Sequence, residues 1–196
     1  FAASMGYRVK HLGIARRQGD RVEMRVHPTL IPEQKQLANV DGVLNAIMIK
    51  GDAVGELVLV GPGAGGAATA SAVCADLADI ARTAAGSGPA LGVPIAQLKS
   101  QTMGPAGDIE SEWYVRLAAS DCAGVMSDVT QVLANHDVSI ESLLQNPPQE
   151  DQATVSIVLL THVASASVMM AVMQEITALT EVEKEFTLLR VEAFDQ

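Results

Sequence analysis

Two short stretches carry residue types that can bind a ligand. The first is Gly63, Ala64 and Gly65, inside Gly61-Pro-Gly-Ala-Gly-Gly66, between an apolar run ending at Val60 and a small-residue segment of helical pattern. Backbone N–H groups at the head of a helix suit a phosphate. The second runs from Asp121 through Cys122, Ala123 and Gly124 to Val125, with Gln145 and Asn146 further on. There the first N–H groups of a helix suit an amino-acid carboxylate and Asp121 can hold the ammonium group. Gln145 or Asn146 can hydrogen-bond a small polar side chain. Each stretch also has a plainer reading. The glycines make a tight turn that lets strand and helix pack, Asp121 caps the helix, and Gln145 is an exposed strand end. A dinucleotide site would need a second strand after the helix, with an acidic residue about 20 residues on. The chain runs instead into Ser87-Gly-Pro-Ala90.

The elements that must position these residues are legible from spacing. Val54 to Val60 reads as a buried strand, followed by a helix ending near Ala85. Ala70, Val73, Cys74, Leu77, Ile80, Ala81 and Ala84 form its apolar stripe, which is expected to be buried. Tyr7–Arg17 and Asp20–His27 read as strands joined at Gln18-Gly-Asp20. Pro28 and Pro32 bracket an extended segment, Glu33–Asn39 a short helix, and Val43–Lys50 a strand turned back at Gly51-Asp52. Asn45, polar within that strand, is expected to hydrogen-bond across a sheet or a subunit seam. From Trp113 the order is strand, helix (Val125, Val129, Val132, Leu133), strands Val138–Gln145 and Thr154–Leu160, helix (Val168, Met169, Val172, Met173, Ile176) and strand Glu185–Val191. A βαββαβ order predicts four antiparallel strands under two helices, a split ferredoxin-like layer. The fold class expected is therefore α+β, with a mixed-sheet segment first and the ferredoxin-like module second. The division expected is residues 1–86, a Gly/Pro/Ser-rich linker at 87–110, and residues 111–196.

Composition bounds the partners. The chain is 48% hydrophobic but only 3% aromatic, so its core is aliphatic. The net charge of −10 comes from Glu110 onward, where fourteen Asp/Glu face three Lys/Arg. That imbalance argues against nucleic acid, which requires clustered cations. Cys74 and Cys122 are far apart and no Cys/His spacing suits a metal, so a reducing cytoplasm is expected. No apolar run reaches the roughly 20 residues needed to span a bilayer. Phe1-Ala-Ala-Ser-Met-Gly-Tyr7 is no signal peptide and resembles the end of a helix, so the chain is expected to be a fragment.

Four ordered blocks resemble the last part of the catalytic region of homoserine dehydrogenase. They are His27-Pro-Thr-Leu-Ile-Pro32, Leu37-Ala-Asn-Val-Asp-Gly-Val-Leu-Asn-Ala46, Gly61-Pro-Gly-Ala-Gly65, and Thr69-Ala-Ser-Ala-Val73 with Asp76-Leu77. Ala67-Ala68 departs from the proline that many members carry there. Ser120-Asp-Cys-Ala-Gly-Val125 and Val138-Ser-Ile-Glu-Ser-Leu-Leu-Gln145 resemble the ACT domain, a small-molecule-sensing module, with Ala123 in place of the usual proline. The resemblance implies a parent enzyme that interconverts aspartate semialdehyde and homoserine with NAD(P)H. It implies subunit pairing through the first sheet, as homodimer or homotetramer, and threonine as effector. In the resembled enzyme the nucleotide domain, the substrate carboxylates and the catalytic lysine precede the region matched here. Gly63, Ala64 and Gly65 then supply at most one wall of the cofactor site, no catalytic residue is expected, and the chain alone is expected to be inactive with no cofactor bound. Two further readings stand beside this one: a stand-alone amino-acid sensor, and an ACT module that only strengthens the oligomer.

Overall fold

The computed structural model describes residues 1–82, 94–145 and 154–194. In chain order the elements are β1 (Tyr7–Gln18), β2 (Arg21–Pro32), β3 (Leu44–Gly51), β4 (Gly55–Pro62), α1 (Gly66–Arg82), β5 (Thr102–Met103), β6 (Glu110–Ser120), α2 (Val125–Asn135), β7 (Ile140–Gln145), β8 (Thr154–Ser165), α3 (Ala166–Ile176) and β9 (Val182–Val191). They fall into two compact units, residues 33–101 and residues 1–32 with 102–196. The chain is α+β.

The larger unit holds a sheet of order β1-β2-β9-β6-β8-β7, with β5 beside β2. Within it β9-β6-β8-β7 are antiparallel neighbours, which is the ferredoxin-like ACT arrangement expected for a βαββαβ order. Alternation decides which side chains meet the helices. Trp113, Val115, Leu117 and Ala119 of β6 and Val155, Ile157 and Leu159 of β8 pack with the buried stripes of α2 and α3. The opposite face is covered as well. Tyr114, Val158 and Leu160 are buried with Leu30 of β2 and Val191 of β9, beside half-buried Phe1 and Tyr7.

That second face departs from the division expected along the chain. β2 runs unbroken through Pro28 to Pro32 and pairs in parallel with β9 at Thr29↔Arg190 and Leu30↔Val191. The hairpin β1–β2 therefore belongs to the ACT sheet, not to a unit ending at residue 86. The connector is also partly structured. Thr102 and Met103 pair in parallel with Arg21 and Val22, and Glu110 already begins β6. Ser120 N–H donates to Glu181 O (2.8 Å), just ahead of Val182, so β9 begins three residues earlier than the spacing predicts.

In the smaller unit β3 and β4 form an antiparallel hairpin ladder from Leu44↔Pro62 to Gly51↔Gly55, and α1 follows. The helix stripe was expected to be buried and is not. Val73, Leu77 and Ile80 are each more than half exposed, Cys74 is exposed, and so are Leu57, Leu59 and Val60 of the supposedly buried strand. Periodicity reports that a stripe is apolar without naming its partner. The helix end expected near Ala85 and the turn at Asn146–Asp151 lie outside the described residues.

Candidate functional site

β6 delivers the chain to Ser120, whose partner on β8 is Thr154. The loop then tightens, with Cys122 N–H donating to Ser120 O (2.9 Å). Gly124 sits at φ 104°, a backbone conformation that side chains rarely adopt, and serves as the N-cap of α2. No side chain caps this helix, so the plainer reading of Asp121, as its cap, fails. Asp128 N–H donates to Gly124 O (2.9 Å) and closes the first turn, so the amides ahead of it have no partner within the helix. Asp121, Ala123 and Gly124 are exposed, while Val125 is buried as the first residue of the α2 stripe.

Gln145 lies at the end of β7 opposite Ile157 of β8. Since Ser120 is opposite Thr154 on the other side of β8, three residues from Ile157, the two positions share one end of the sheet, two strand spacings apart and offset along it, about 14 Å in all. The structure thus brings the Asp121–Val125 loop and exposed Gln145 to the same edge. Asn146 lies outside the described residues.

The glycine loop behaves differently. Gly63 N–H donates to Val43 O (2.8 Å), and a Cβ there would run into the Asn45 side chain. Asn45 is therefore what holds position 63 to glycine, a close approach within the hairpin unit. Gly65, at φ 113°, accepts from Thr69 N–H and Thr69 Oγ1, both at 3.1 Å. Gly63, Ala64 and Gly65 are exposed and small enough for a flat ligand to approach, but the Gly63 amide is already used. The loop therefore offers a phosphate one donor fewer than its run of glycines suggests.

Sequence reasoning missed a charged cluster that the sheet assembles. Glu192 Oε1 accepts from Arg16 Nη2 (2.8 Å) and Glu192 Oε2 from Arg25 Nη2 (2.7 Å), while Arg25 also pairs with Glu23. Gln18 Nε2 donates to Glu23 Oε2 (3.4 Å). Burial pulls the Arg25 guanidinium below its ordinary range, against the attraction of Glu192. Close by, Arg190 stacks 4.3 Å over the Trp113 ring and is pushed down to about 10, by burial first and Arg25 second. Glu23 and Arg25 alternate with apolar residues on β2, a pattern that otherwise reads as a solvated face. Among the described residues no three His, Cys, Asp or Glu side chains gather as a metal would require. Among them, too, no helix is long and apolar enough to cross a membrane.

The family model for homoserine dehydrogenase matches residues 1–78, and that for the ACT domain matches residues 114–181. The chain belongs to the homoserine dehydrogenase family. It is 44% identical over 197 residues to the homoserine dehydrogenase of Neisseria gonorrhoeae, covering 98% of this chain and 45% of that protein. The Pseudomonas aeruginosa homoserine dehydrogenase is 42% identical over 167 residues, covering 83% of this chain and 38% of its own. A crystal structure of a homoserine dehydrogenase from Thiobacillus denitrificans superposes with a TM-score of 0.85 at 41% identity, across 98% of this chain and 44% of that one. The chain thus spans less than half the length of these homoserine dehydrogenases. Gly63 to Gly65 fall within the homoserine dehydrogenase match, and Asp121 to Val125 and Gln145 within the ACT match. Arg190 and Glu192 lie beyond both.

Proposed function

We propose that this chain is the C-terminal regulatory part of a homoserine dehydrogenase that interconverts aspartate semialdehyde and homoserine with NAD(P)H. Its ACT module senses an end-product amino acid, threonine. The observation that carries the reading is the uncapped α2 start, with exposed Asp121 beside it and Gln145 at the same sheet edge. The α2 amides at Gly124 and Val125 take the carboxylate, Asp121 the ammonium and Gln145, with Asn146, the side-chain hydroxyl. Ala123 leaves the loop free to close on them. Binding biases the parent only by the difference in affinity between two states, about 1–3 kcal/mol.

Calorimetry on this chain tests the reading. Threonine is expected to bind, and Asp121→Ala to weaken it about tenfold, the loss of one charge-assisted hydrogen bond. Absence of threonine heat from a folded chain, or an unchanged affinity in Asp121→Ala, would overturn it.

Catalysis is the parent's. When bound there, NAD(P) supplies or accepts the hydride. Gly63, Ala64 and Gly65 stand at one wall of its site, where small side chains leave room for it. With homoserine and NADP this chain alone is expected to give no turnover in a dehydrogenase assay. The exposed apolar residues of the smaller unit, Ile47, Leu59 and Ile80 among them, support pairing of subunits as a homodimer or homotetramer. Two unbridged cysteines suit a cytoplasmic parent.

A further inference from the structure

A cleft of about 480 Å³ opens in the larger unit, where β2 and β9 meet α3 and the turn at Ala106–Asp108, away from the Asp121–Val125 loop. We propose that it binds a small hydroxycarboxylate with an apolar tail and no ammonium group. Its volume lies within the roughly 300–1,000 Å³ of small-molecule sites. Trp113, Met170, Leu188 and Leu189 make it largely apolar, and Arg190 and His27 are the charged or titratable groups on its wall.

Arg190 is held in place before any ligand arrives. Its guanidinium lies on the Trp113 ring, and Nη1 donates to Ser111 Oγ (2.9 Å) and Ile109 O (3.3 Å). Both acceptors are neutral, and among the described residues no carboxylate is paired with it. The carboxylate of Glu192 is engaged through both oxygens by Arg16 and Arg25. A planar guanidinium with N–H groups to spare, fixed by a ring and two bonds, is suited to a carboxylate.

His27 gives an independent indication of the second group. Its Nδ1 lies 3.1 Å from Pro28 O, which can only accept, and 3.0 Å from Thr29 Oγ1, whose own hydroxyl has His27 O as an acceptor (3.2 Å), so Nδ1 carries the proton. Nε2 is then a lone-pair acceptor, and it is buried without a partner. Buried orphans of this kind are uncommon and costly, and a ligand hydroxyl would satisfy this one. Burial pulls the His27 imidazole below its ordinary range, with Arg190 and Arg25 also disfavouring its charged form, so the neutral acceptor dominates. An ammonium group could donate to Nε2 too, but it would meet the Arg190 guanidinium and no acid on the cleft wall. That separates this site from one built for amino acids.

Trp113 is the chain's single tryptophan, so its emission reports on the cleft directly. Leucic acid, the hydroxy analogue of leucine, is the probe. It is expected to shift Trp113 emission saturably. Isocaproate, lacking the hydroxyl, is expected to bind about fivefold more weakly, and leucine and leucic amide about tenfold more weakly or worse. Arg190→Gln should abolish binding, and His27→Phe should make leucic acid no better than isocaproate. Gly107→Leu should block the cleft, since a Cβ there makes only ordinary contact, at 3.6 Å from Ser167 Cβ, and the fold is kept. A missing response, leucine binding as tightly as leucic acid, or full affinity in Gly107→Leu would overturn the proposal. If circular dichroism finds Arg190→Gln unfolded, His27→Phe and Gly107→Leu decide.

Discussion

Glu192→Leu is expected to lower the unfolding free energy by about 3–5 kcal/mol, the cost of leaving a buried cation without its partner. Three facts set the size of the effect. The Arg25 side chain is only 6% exposed, so its charge has little access to water once Glu192 is gone. Arg16 loses its partner in the same step, leaving Glu23 as the one carboxylate against two guanidinium groups, with Arg190 nearby. The cluster also sits on a short seam of the sheet, because β2 and β9 share only Thr29↔Arg190 and Leu30↔Val191, extended by Glu192 N–H donating to Leu30 O (2.9 Å). The carboxylate thus clamps the β1–β2 hairpin to the ACT strands from the side-chain direction. Urea unfolding measures the loss, and hydrogen exchange should rise at Glu192 before it rises in β8. Adding Arg25→Met and Glu23→Gln to Glu192→Leu should recover much of the stability, since removing a buried charged cluster whole costs far less than breaking it. A triple variant as unstable as the single one would mean that the clamp is packing and not charge.

How much of this was readable beforehand depends on the distance between the residues concerned. The α2 stripe of Val125, Val129, Val132 and Leu133 is buried as its spacing predicts, and so are Met169, Val172, Met173 and Ile176 of α3. Their partners come from the same 80-odd residues, and alternation on β6 and β8 supplies the complementary face. The identical period in α1 led to the wrong environment, because Val73, Leu77 and Ile80 have no such cover in this chain. Tyr114, on the face of β6 turned away from the helices, is buried as well, because the residues that cover it include Leu30, over eighty positions earlier. No local pattern carries a parallel pairing of that separation. Pro28 pointed the same wrong way, since proline argues against a strand with neighbours on both sides, and β2 escapes the rule by meeting β9 at just two residues. The Asp121–Val125 loop was easier, as Gly124 announces itself by residue type and turns out to need φ 104°. His27 and Arg190 could not be associated before the sheet order was known.

Leu159→Ala should cost about 2–5 kcal/mol, the range for truncating a fully buried leucine where the surroundings cannot collapse. Leu159 is completely buried at the middle of β8, opposite Val115 of β6 and Leu143 of β7. Its side chain belongs to the cluster that joins the sheet to both helices, so the void opens beneath α2 and α3 together. Neighbouring strands fix the backbone on either side, which prevents the sheet from closing over the gap. The adjacent Val158 is just as buried but points to the other face, toward Leu30 and Tyr114. Val158→Ala removes fewer atoms from a cluster bounded by the β1–β2 hairpin, and should cost less. The two variants can also be told apart by where they loosen the molecule. Leu159→Ala should raise hydrogen exchange in α2 and α3, and Val158→Ala in β2. Equal exchange profiles would mean that the two faces of the sheet form one core and not two.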